Sequence, residues 1–192
     1  MKTVAIIIAA YNADKYILDC YNSVKNQIPL EGYSVDVRIG VDGCQKTADV
    51  LRRAGIPFYW YEKNVGAYIM RNSLIYFNPF IDVFSIFDAD DVMFTNYISS
   101  TLSLNADAVM TAKINCNENL KPIQGARIEY GGAITFTQNI LDSLGGFYGG
   151  TVGRLEGTMI NYNCECGFSA TLVVPSKGYK NFEIRFIKDT EN

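Results

Sequence analysis

The stretch SIFDADDV, residues 85–92, ends an apolar run in a cluster of carboxylates, namely Asp88, Asp90 and Asp91. This pattern is typical of a buried strand of an α/β sheet that delivers acids to its carboxyl end, where ligands bind. Neighbouring carboxylates repel one another unless a cation neutralises them, and Mg²⁺ prefers carboxylate oxygen while leaving positions for substrate phosphates. The stretch therefore predicts a site for a metal ion and a diphosphate, although a solvated acidic turn would have the same sequence.

The composition is that of an ordinary globular protein. The chain has 192 residues, of which 48% are hydrophobic and 19% charged, and a chain of this length buries roughly 70% of its unfolded surface. Its formal net charge of −3 argues against a protein that binds nucleic acid mainly through contacts with the phosphates. We therefore expect a single compact domain over residues 1–192.

The cysteine and histidine content indicates the cellular compartment and limits the residues available for acid–base catalysis. The five cysteines are odd in number and lack paired C-x-x-C spacing, which predicts reduced thiols in a cytoplasmic protein. The apolar run at residues 4–10 predicts a first buried strand rather than a signal peptide, and no stretch approaches the roughly 18 apolar residues of a membrane span. Because histidine is absent, acid–base catalysis must come from carboxylates, tyrosine, lysine or cysteine.

Strand and helix patterns alternate along the first half of the chain. Apolar runs at 3–10, 35–41 and 58–61 predict strands, as does the run before Asp88, and helical spacing links them. This order predicts a doubly wound sheet with right-handed crossovers. In the second half, strands are expected at 106–114 and 130–137, and a helix is expected at 95–104.

The pattern after residue 145 is harder to interpret. The Gly-rich segment 147–157 predicts a stretch that closes over a ligand. Residues 156–162 predict the start of a helix, SATLVV (169–174) fits either its continuation or a strand, and NFEIRFI (181–187) alternates like a half-exposed strand.

Several of these stretches together resemble family 2 glycosyltransferases of the GT-A fold, over nearly the whole chain. VAIIIAAYNADKYILDCYNSVKNQ (4–27) is similar to the family's first strand, Tyr-Asn turn and first helix; RIGVDGCQKT (38–47) to its acidic strand end; VGAYIMRNSLI (65–75) to its Gly-x-x-x-x-Arg-Asn helix; FSIFDADDV (84–92) to its metal-binding acidic motif; and YGGAITFTQNILDSLGGF (130–147) to its acceptor-side segment.

This resemblance implies an α/β fold with a single GT-A (Rossmann-like) domain, in which helices cover both faces of a mostly parallel central sheet. Residues 1–91 would form the nucleotide-binding half and residues 92–192 the acceptor-side half.

The resemblance also implies roles for residues that bind the nucleotide. Tyr11 would pack against the base, and Asp42 would accept a hydrogen bond from a base N–H. Ala9 and Ala10 stand where the family usually has a Pro-Thr pair, so the backbone there, at Ala9, would supply the missing polar contact. Arg71 would reach the base or the diphosphate with its planar cationic fork, and Asp88 would face the ribose.

Metal and catalytic roles follow from the same resemblance. Asp88, Asp90 and Asp91 would hold Mn²⁺ or Mg²⁺ against the diphosphate. Glu156 stands where the family's catalytic carboxylate would be, and Glu165 is the second candidate. A glutamate stabilised at a helix N-terminus is the structural alternative for Glu156.

The activity implied is metal-dependent, inverting transfer of a sugar from a nucleoside diphosphate, most simply a UDP-sugar, to an acceptor hydroxyl. The acceptor could be a glycan, a lipid-linked sugar, a protein or a modified base. The alternative is a degenerate GT-A domain that binds a nucleotide sugar, glycan or protein partner without catalysis, because Leu155 breaks the family's usual acidic pair. Dehalogenase-like phosphatases fit less well, since they need an Asp-x-Asp pair early in the chain, and sugar nucleotidyltransferases need a Gly-rich first loop that is missing.

Overall fold

A computed structural model describes residues 1–76, 81–124, 128–139, 141, 157–163, 169–175 and 184–187. The named helices are α1 (Ile17–Lys25), α2 (Gln45–Arg53), α3 (Ala67–Tyr76) and α4 (Tyr97–Ser103). The strands are β1 (Lys2–Ala10), β2 (Tyr33–Asp42), β3 (Tyr59–Tyr61), β4 (Val83–Asp88), β5 (Ala108–Ile114), β6 (Ile128–Thr137), β7 (Gly157–Asn163), β8 (Ser169–Pro175) and β9 (Ile184–Ile187).

Among the described residues, the central sheet has seven strands in the order β3-β2-β1-β4-β6-β5-β9, and β7 pairs with β8 in a separate two-stranded sheet. Strands β1 to β4 pair in parallel, and β9 pairs in parallel with β5. Strand β6 is the exception, because it runs antiparallel to both of its neighbours. The predicted α/β class with a mostly parallel sheet is therefore confirmed.

Strand β1 lies in the middle of the core and is buried on both faces. Ile6 and Ile8 point into a cluster that includes side chains of α1, α2 and α4, whereas Ile7 points into a second cluster with α3. Successive side chains of a strand alternate between faces, so a continuous run of β-branched residues can fill two layers at once. Full burial of each such side chain contributes about 1.5–3 kcal/mol. Helices thus cover both faces of the sheet, as predicted.

A close contact sets the distance between α3 and the sheet. At Gly40 in β2, an added Cβ would overlap the Sδ atom of Met70 on α3. Only glycine therefore allows the helix to lie this close to the strand. The close packing brings the side chains of the first turns of α3 near the carboxyl ends of the strands.

The predicted helix start at residues 156–162 is wrong. Gly157–Asn163 forms β7, which pairs antiparallel with Ser169–Pro175. The segment is rich in β-branched and aromatic residues, namely Thr158, Ile160 and Tyr162, and these favour a strand. Within the described part of the chain, no helix has both the length and the apolar character to cross a membrane.

Candidate functional site

The predicted site residues of the first half meet at one edge of the sheet. Asp42 and Asp88 are the last residues of β2 and β4, and Tyr11 directly follows β1, which lies between those two strands. Ala9 is opposite Asp88 in the pairing of β1 with β4. The chain moves outward from β1 to β2 and β3, then returns to place β4 on the other side of β1. This reversal creates the crevice in which open α/β sheets bind ligands.

Arg71 reaches this edge from α3 and pairs with Asp88. Its Nη2 atom lies 2.7 Å from Asp88 Oδ1, and the two side chains are 17% and 36% exposed. The guanidinium also lies 5.7 Å from the ring centre of Tyr68. Arg71 Nε is buried and has no hydrogen-bond partner among the described residues. A buried donor without an acceptor costs free energy, so an anion bound beside Arg71 would relieve that cost.

The other two carboxylates of the acidic stretch have different surroundings. The amide of Asp91 donates to the carbonyl of Asp88 at 3.2 Å, which forms a tight turn. Asp91 Oδ2 lies 4.0 Å from Lys113 Nζ on β5, whereas Asp90 is exposed. The cluster is therefore flanked by two cations, Arg71 on one side and Lys113 on the other, with Asp90 facing solvent.

Lys113 is the site residue that the sequence reasoning missed. Strand β5 runs antiparallel to β6, which runs antiparallel to β4, so β4 and β5 end at the same edge. A lysine one residue from the end of a predicted strand was the available signal. The insertion of β6 between the two strands was not readable from the sequence, because strand order depends on long-range pairing.

Carboxylate oxygens of the kind present at this edge are the ligands that hard divalent cations prefer. Among the described residues, no group of three or more acidic, cysteine or histidine side chains converges as a metal cage. Mg²⁺, however, is usually bound by one or two carboxylates together with phosphate oxygens. Asp90 and the second oxygen of Asp88 provide such hard oxygen donors at the edge of the sheet. Metal binding by Asp88, Asp90 and Asp91 stays a prediction.

Asp42 is buried and holds the backbone that leads into α3. Its Oδ1 accepts from the amide of Val65 at 2.7 Å, and its Oδ2 accepts from the amide of Gly66 at 2.9 Å. Both carboxylate oxygens are thus engaged within the protein. The contact of Asp42 with a nucleotide base stays a prediction.

Tyr11 presents an open aromatic surface at the same edge. Its side chain is 54% exposed, and the next residue, Asn12, has a φ of 52°. Left-handed backbone is uncommon for residues other than glycine, although asparagine tolerates it. The turn at Asn12 ends β1 sharply and leaves Tyr11 accessible for stacking.

Helix α1 and the residues directly after it hold the segment that follows the acidic stretch. The hydroxyl of Ser23 accepts from the amide of Met93 at 2.9 Å. Gln27 donates to the carbonyl of Phe94 at 2.6 Å and accepts from the amide of Ile98 at 3.0 Å. These hydrogen bonds fix the chain on the carboxyl side of the acidic turn.

Two thiols lie close to the site, and neither is a good candidate for the catalytic base. Burial, reinforced by the nearby Asp91, Asp90 and Asp88 carboxylates, raises the pKa of Cys20 to about 12, so Cys20 stays protonated at neutral pH. Burial alone would raise the pKa of Cys44, but hydrogen bonds from Thr47 near the start of α2, together with those of the Asn12 and Lys46 backbone, outweigh it and lower that pKa. Cys44 Sγ is already engaged with Thr47 Oγ1 at 3.3 Å.

The predicted catalytic carboxylates, Glu156 and Glu165, lie outside the described residues. Most of the Gly-rich segment 147–157 also lies outside them. The assignment of a catalytic base therefore stays a prediction.

Comparison with known proteins relates this architecture to solved structures. No family model and no curated protein sequence matches the chain. S. aureus TarS 1–349 in complex with UDP-GlcNAc is similar with a TM-score of 0.58 at 14% identity, covering 100% of this chain and 60% of that one. The same protein in complex with UDP gives a TM-score of 0.55 at 17% identity, covering 74% of this chain and 48% of that one.

The chain has the GT-A fold. At such low identity, the likeness establishes the arrangement of strands and helices and not the chemistry. The chain also spans only 48% to 60% of the length of these TarS structures.

Proposed function

We propose that this chain is a glycosyltransferase of the family 2 type, which transfers a sugar from a nucleoside diphosphate sugar to an acceptor hydroxyl. The observation that carries the proposal is the Arg71–Asp88 pair. It lies at the carboxyl ends of the parallel strands, beside β1, which has β2 on one side and β4 on the other. The TarS structures with UDP and UDP-GlcNAc support a uridine nucleotide as the donor.

In this proposal, the described residues bind and orient the donor. The exposed ring of Tyr11 stacks on the base, and the backbone of Ala9 supplies a polar contact. Arg71 turns from Asp88 toward the diphosphate, because a phosphate offers its guanidinium two acceptor oxygens in one plane. Asp88 then becomes free to accept from the ribose hydroxyls.

We further propose that Asp88, Asp90 and Asp91 hold Mn²⁺ or Mg²⁺. When bound, the ion would neutralise the diphosphate and stabilise the charge that develops on the leaving nucleotide. The acidic turn orients these carboxylates, and the hydrogen bonds from α1 keep the following segment in place.

The proposed catalytic base is Glu156, with Glu165 as the second candidate. A carboxylate would accept the proton of the acceptor hydroxyl as that oxygen attacks the anomeric carbon, so that the configuration inverts. We place the reaction in the cytoplasm, a proposal that the free thiols of Cys20 and Cys44 support. The acceptor is a glycan, a lipid-linked sugar, a protein or a modified base.

Non-catalytic binding is a second candidate, and one observation favours it. Asp88 and Asp91 each already have a cation of the protein nearby, Arg71 and Lys113 respectively. Such pairing lowers the need for a metal ion, so the domain would bind a nucleotide sugar without turning it over.

Release of UDP from UDP-sugars distinguishes the two candidates. An enzyme should release UDP in the presence of Mn²⁺, by slow hydrolysis even without an acceptor, and EDTA should stop the release. We expect Glu156→Gln to lower the rate at least about 100-fold, a typical contribution of a general base, while UDP binding is unchanged. Glu31→Gln, an exposed glutamate in a loop, is the matched control. Near-normal release by Glu156→Gln would remove that assignment, and absence of release in wild type would favour non-catalytic binding.

A further inference from the structure

One face of β2 supports α3 at both ends of the helix. Arg38, which is only 4% exposed, donates from Nη1 to the carbonyl of Leu74 near the end of α3 at 2.8 Å. Asp36 accepts from Arg38 Nε at 2.8 Å and keeps that guanidinium oriented. Gly40 lies two residues further along the strand and provides the space for the middle of the helix. Asp42 lies two residues beyond it on the same face.

The start of α3 depends on the carboxylate of Asp42. It accepts hydrogen bonds from the amides of Val65 and Gly66, directly before the helix, and the Gly66 amide also lies 3.1 Å from Asn64 Oδ1. The carbonyl of Gly66 in turn accepts from the amide of Met70 at 3.1 Å, one of the first hydrogen bonds of the helix. Gly66 has a φ of 91°, a value that side chains disfavour. An ionised acceptor for two consecutive amides stabilises this turn.

The position of Arg71 follows from the position of α3. Arg71 lies within the first two turns of the helix, and its Nη2 atom contacts Asp88 Oδ1 at 2.7 Å. A helix rises about 1.5 Å per residue, and a hydrogen bond weakens steeply beyond roughly 3.2 Å. A shift of α3 by less than one residue would therefore separate Arg71 from Asp88 and from any diphosphate bound there.

We propose that Asp42 is a positioning residue, which acts through the Val65 and Gly66 amides to place Arg71 at the diphosphate site. This inference rests on the proposed function, because it assigns Asp42 an indirect part in donor binding. The competing role is the predicted direct contact between Asp42 and the nucleotide base. In the direct role, the effect of Asp42 on affinity depends on which base the ligand carries, whereas in the positioning role it does not.

The Asp42→Asn variant separates these roles when its affinity for UDP, CDP and inorganic pyrophosphate is measured by calorimetry. In this variant the side-chain NH₂ group faces one of the two backbone N–H groups. Two donors cannot hydrogen-bond to each other, so the turn would open. Positioning predicts that all three ligands bind about tenfold more weakly, because each depends on Arg71. Direct base contact predicts unchanged binding of pyrophosphate and a preference that moves from UDP toward CDP, since cytosine presents an acceptor where uracil presents a donor. That second pattern would overturn the proposal.

A double-mutant cycle with Arg71→Met tests whether Asp42 acts through the arginine. If it does, Asp42→Asn should cost less than about twofold in UDP affinity once Arg71 is gone, because coupled residues are not additive. Equal losses in both backgrounds would contradict the proposal. A general loss of stability would lower the melting temperature without producing this coupling.

Asp49→Asn is the matched control, since Asp49 is an exposed acid that contacts Arg52 on α2 at 2.8 Å. Hydrogen exchange provides a readout that needs no ligand. The amide of Val65, which donates to Asp42, should exchange at least about tenfold faster in Asp42→Asn than in Asp49→Asn. If wild type binds none of the ligands, the proposed function fails. Hydrogen exchange then tests by itself whether Asp42 holds the turn before α3, and equal exchange rates in the two variants would overturn that role.

Discussion

Asp88, Asp90 and Asp91 have different surroundings although they lie within one turn. Asp88 contacts Arg71 at 2.7 Å, and Asp91 lies 4.0 Å from Lys113. Asp90 is exposed, so its replacement should disturb the fold least and should report most directly on ligand binding. The charges around each carboxylate therefore indicate which variant is informative.

Lys113→Met should strengthen binding of Mn²⁺ in the presence of UDP. The lysine partly neutralises Asp91, and its loss leaves more negative charge for a divalent ion. Since partly exposed ion pairs contribute little, we expect a gain of about two- to fivefold in affinity. Calorimetric titration of Mn²⁺ measures it, with Lys121→Met as the exposed control. Unchanged or weaker metal binding would show that Lys113 does not compete with the ion.

At the residue scale, the sequence predicted that Asp42 and Asp88 reach the edge but not what they contact, and it did not predict Lys113 there. The ends of predicted strands placed Asp42 and Asp88 correctly on one edge of the sheet. The contacts of Asp42 with Val65 and Gly66 depend on the turn before α3. Such a turn is determined by tertiary packing, which no local pattern encodes.

At the scale of elements, the contact between α3 and β2 controls the geometry of the site. Gly40→Ala should lower the free energy of unfolding by about 1–3 kcal/mol, because the added methyl group overlaps Met70. Urea denaturation measures this loss. Met70→Ala should relieve this overlap. The double variant should therefore lose less stability than the sum of the losses of the two single variants. Simple additivity, or no effect of Gly40→Ala, would contradict this view of the contact.

The same scale shows why some elements were predictable from the sequence and one was not. The first four strands were predicted because apolar or aromatic runs, such as the β-branched one in β1, end at polar turns. Strand β7 was missed because it directly follows a Gly-rich segment, in which neither helical nor alternating spacing is clear. Its partner β8 fits both interpretations in the sequence, and only the antiparallel pairing decides between them.

At the scale of the whole molecule, the order of strands creates the site. Because β1 has β2 on one side and β4 on the other, Tyr11 and Asp88 belong to neighbouring strand ends while Arg71 reaches over from α3. The likeness to TarS extends over 74% to 100% of this chain, and it concerns this arrangement of strands and helices. The predicted division into halves at residue 91 falls at the acidic stretch and stays a prediction.

Calorimetric titration with UDP, GDP, CDP and dTDP is the most direct test of the central claim that this edge binds a nucleoside diphosphate with a metal ion. Each titration is made with Mn²⁺ or Mg²⁺ and with EDTA, on wild type, on Asp90→Asn and on the control Asp49→Asn. We predict that one nucleotide, most simply UDP, binds in a metal-dependent manner. We also predict that Asp90→Asn weakens this binding at least about tenfold, a loss typical for a charged contact. Absence of binding by all four nucleotides would contradict the claim.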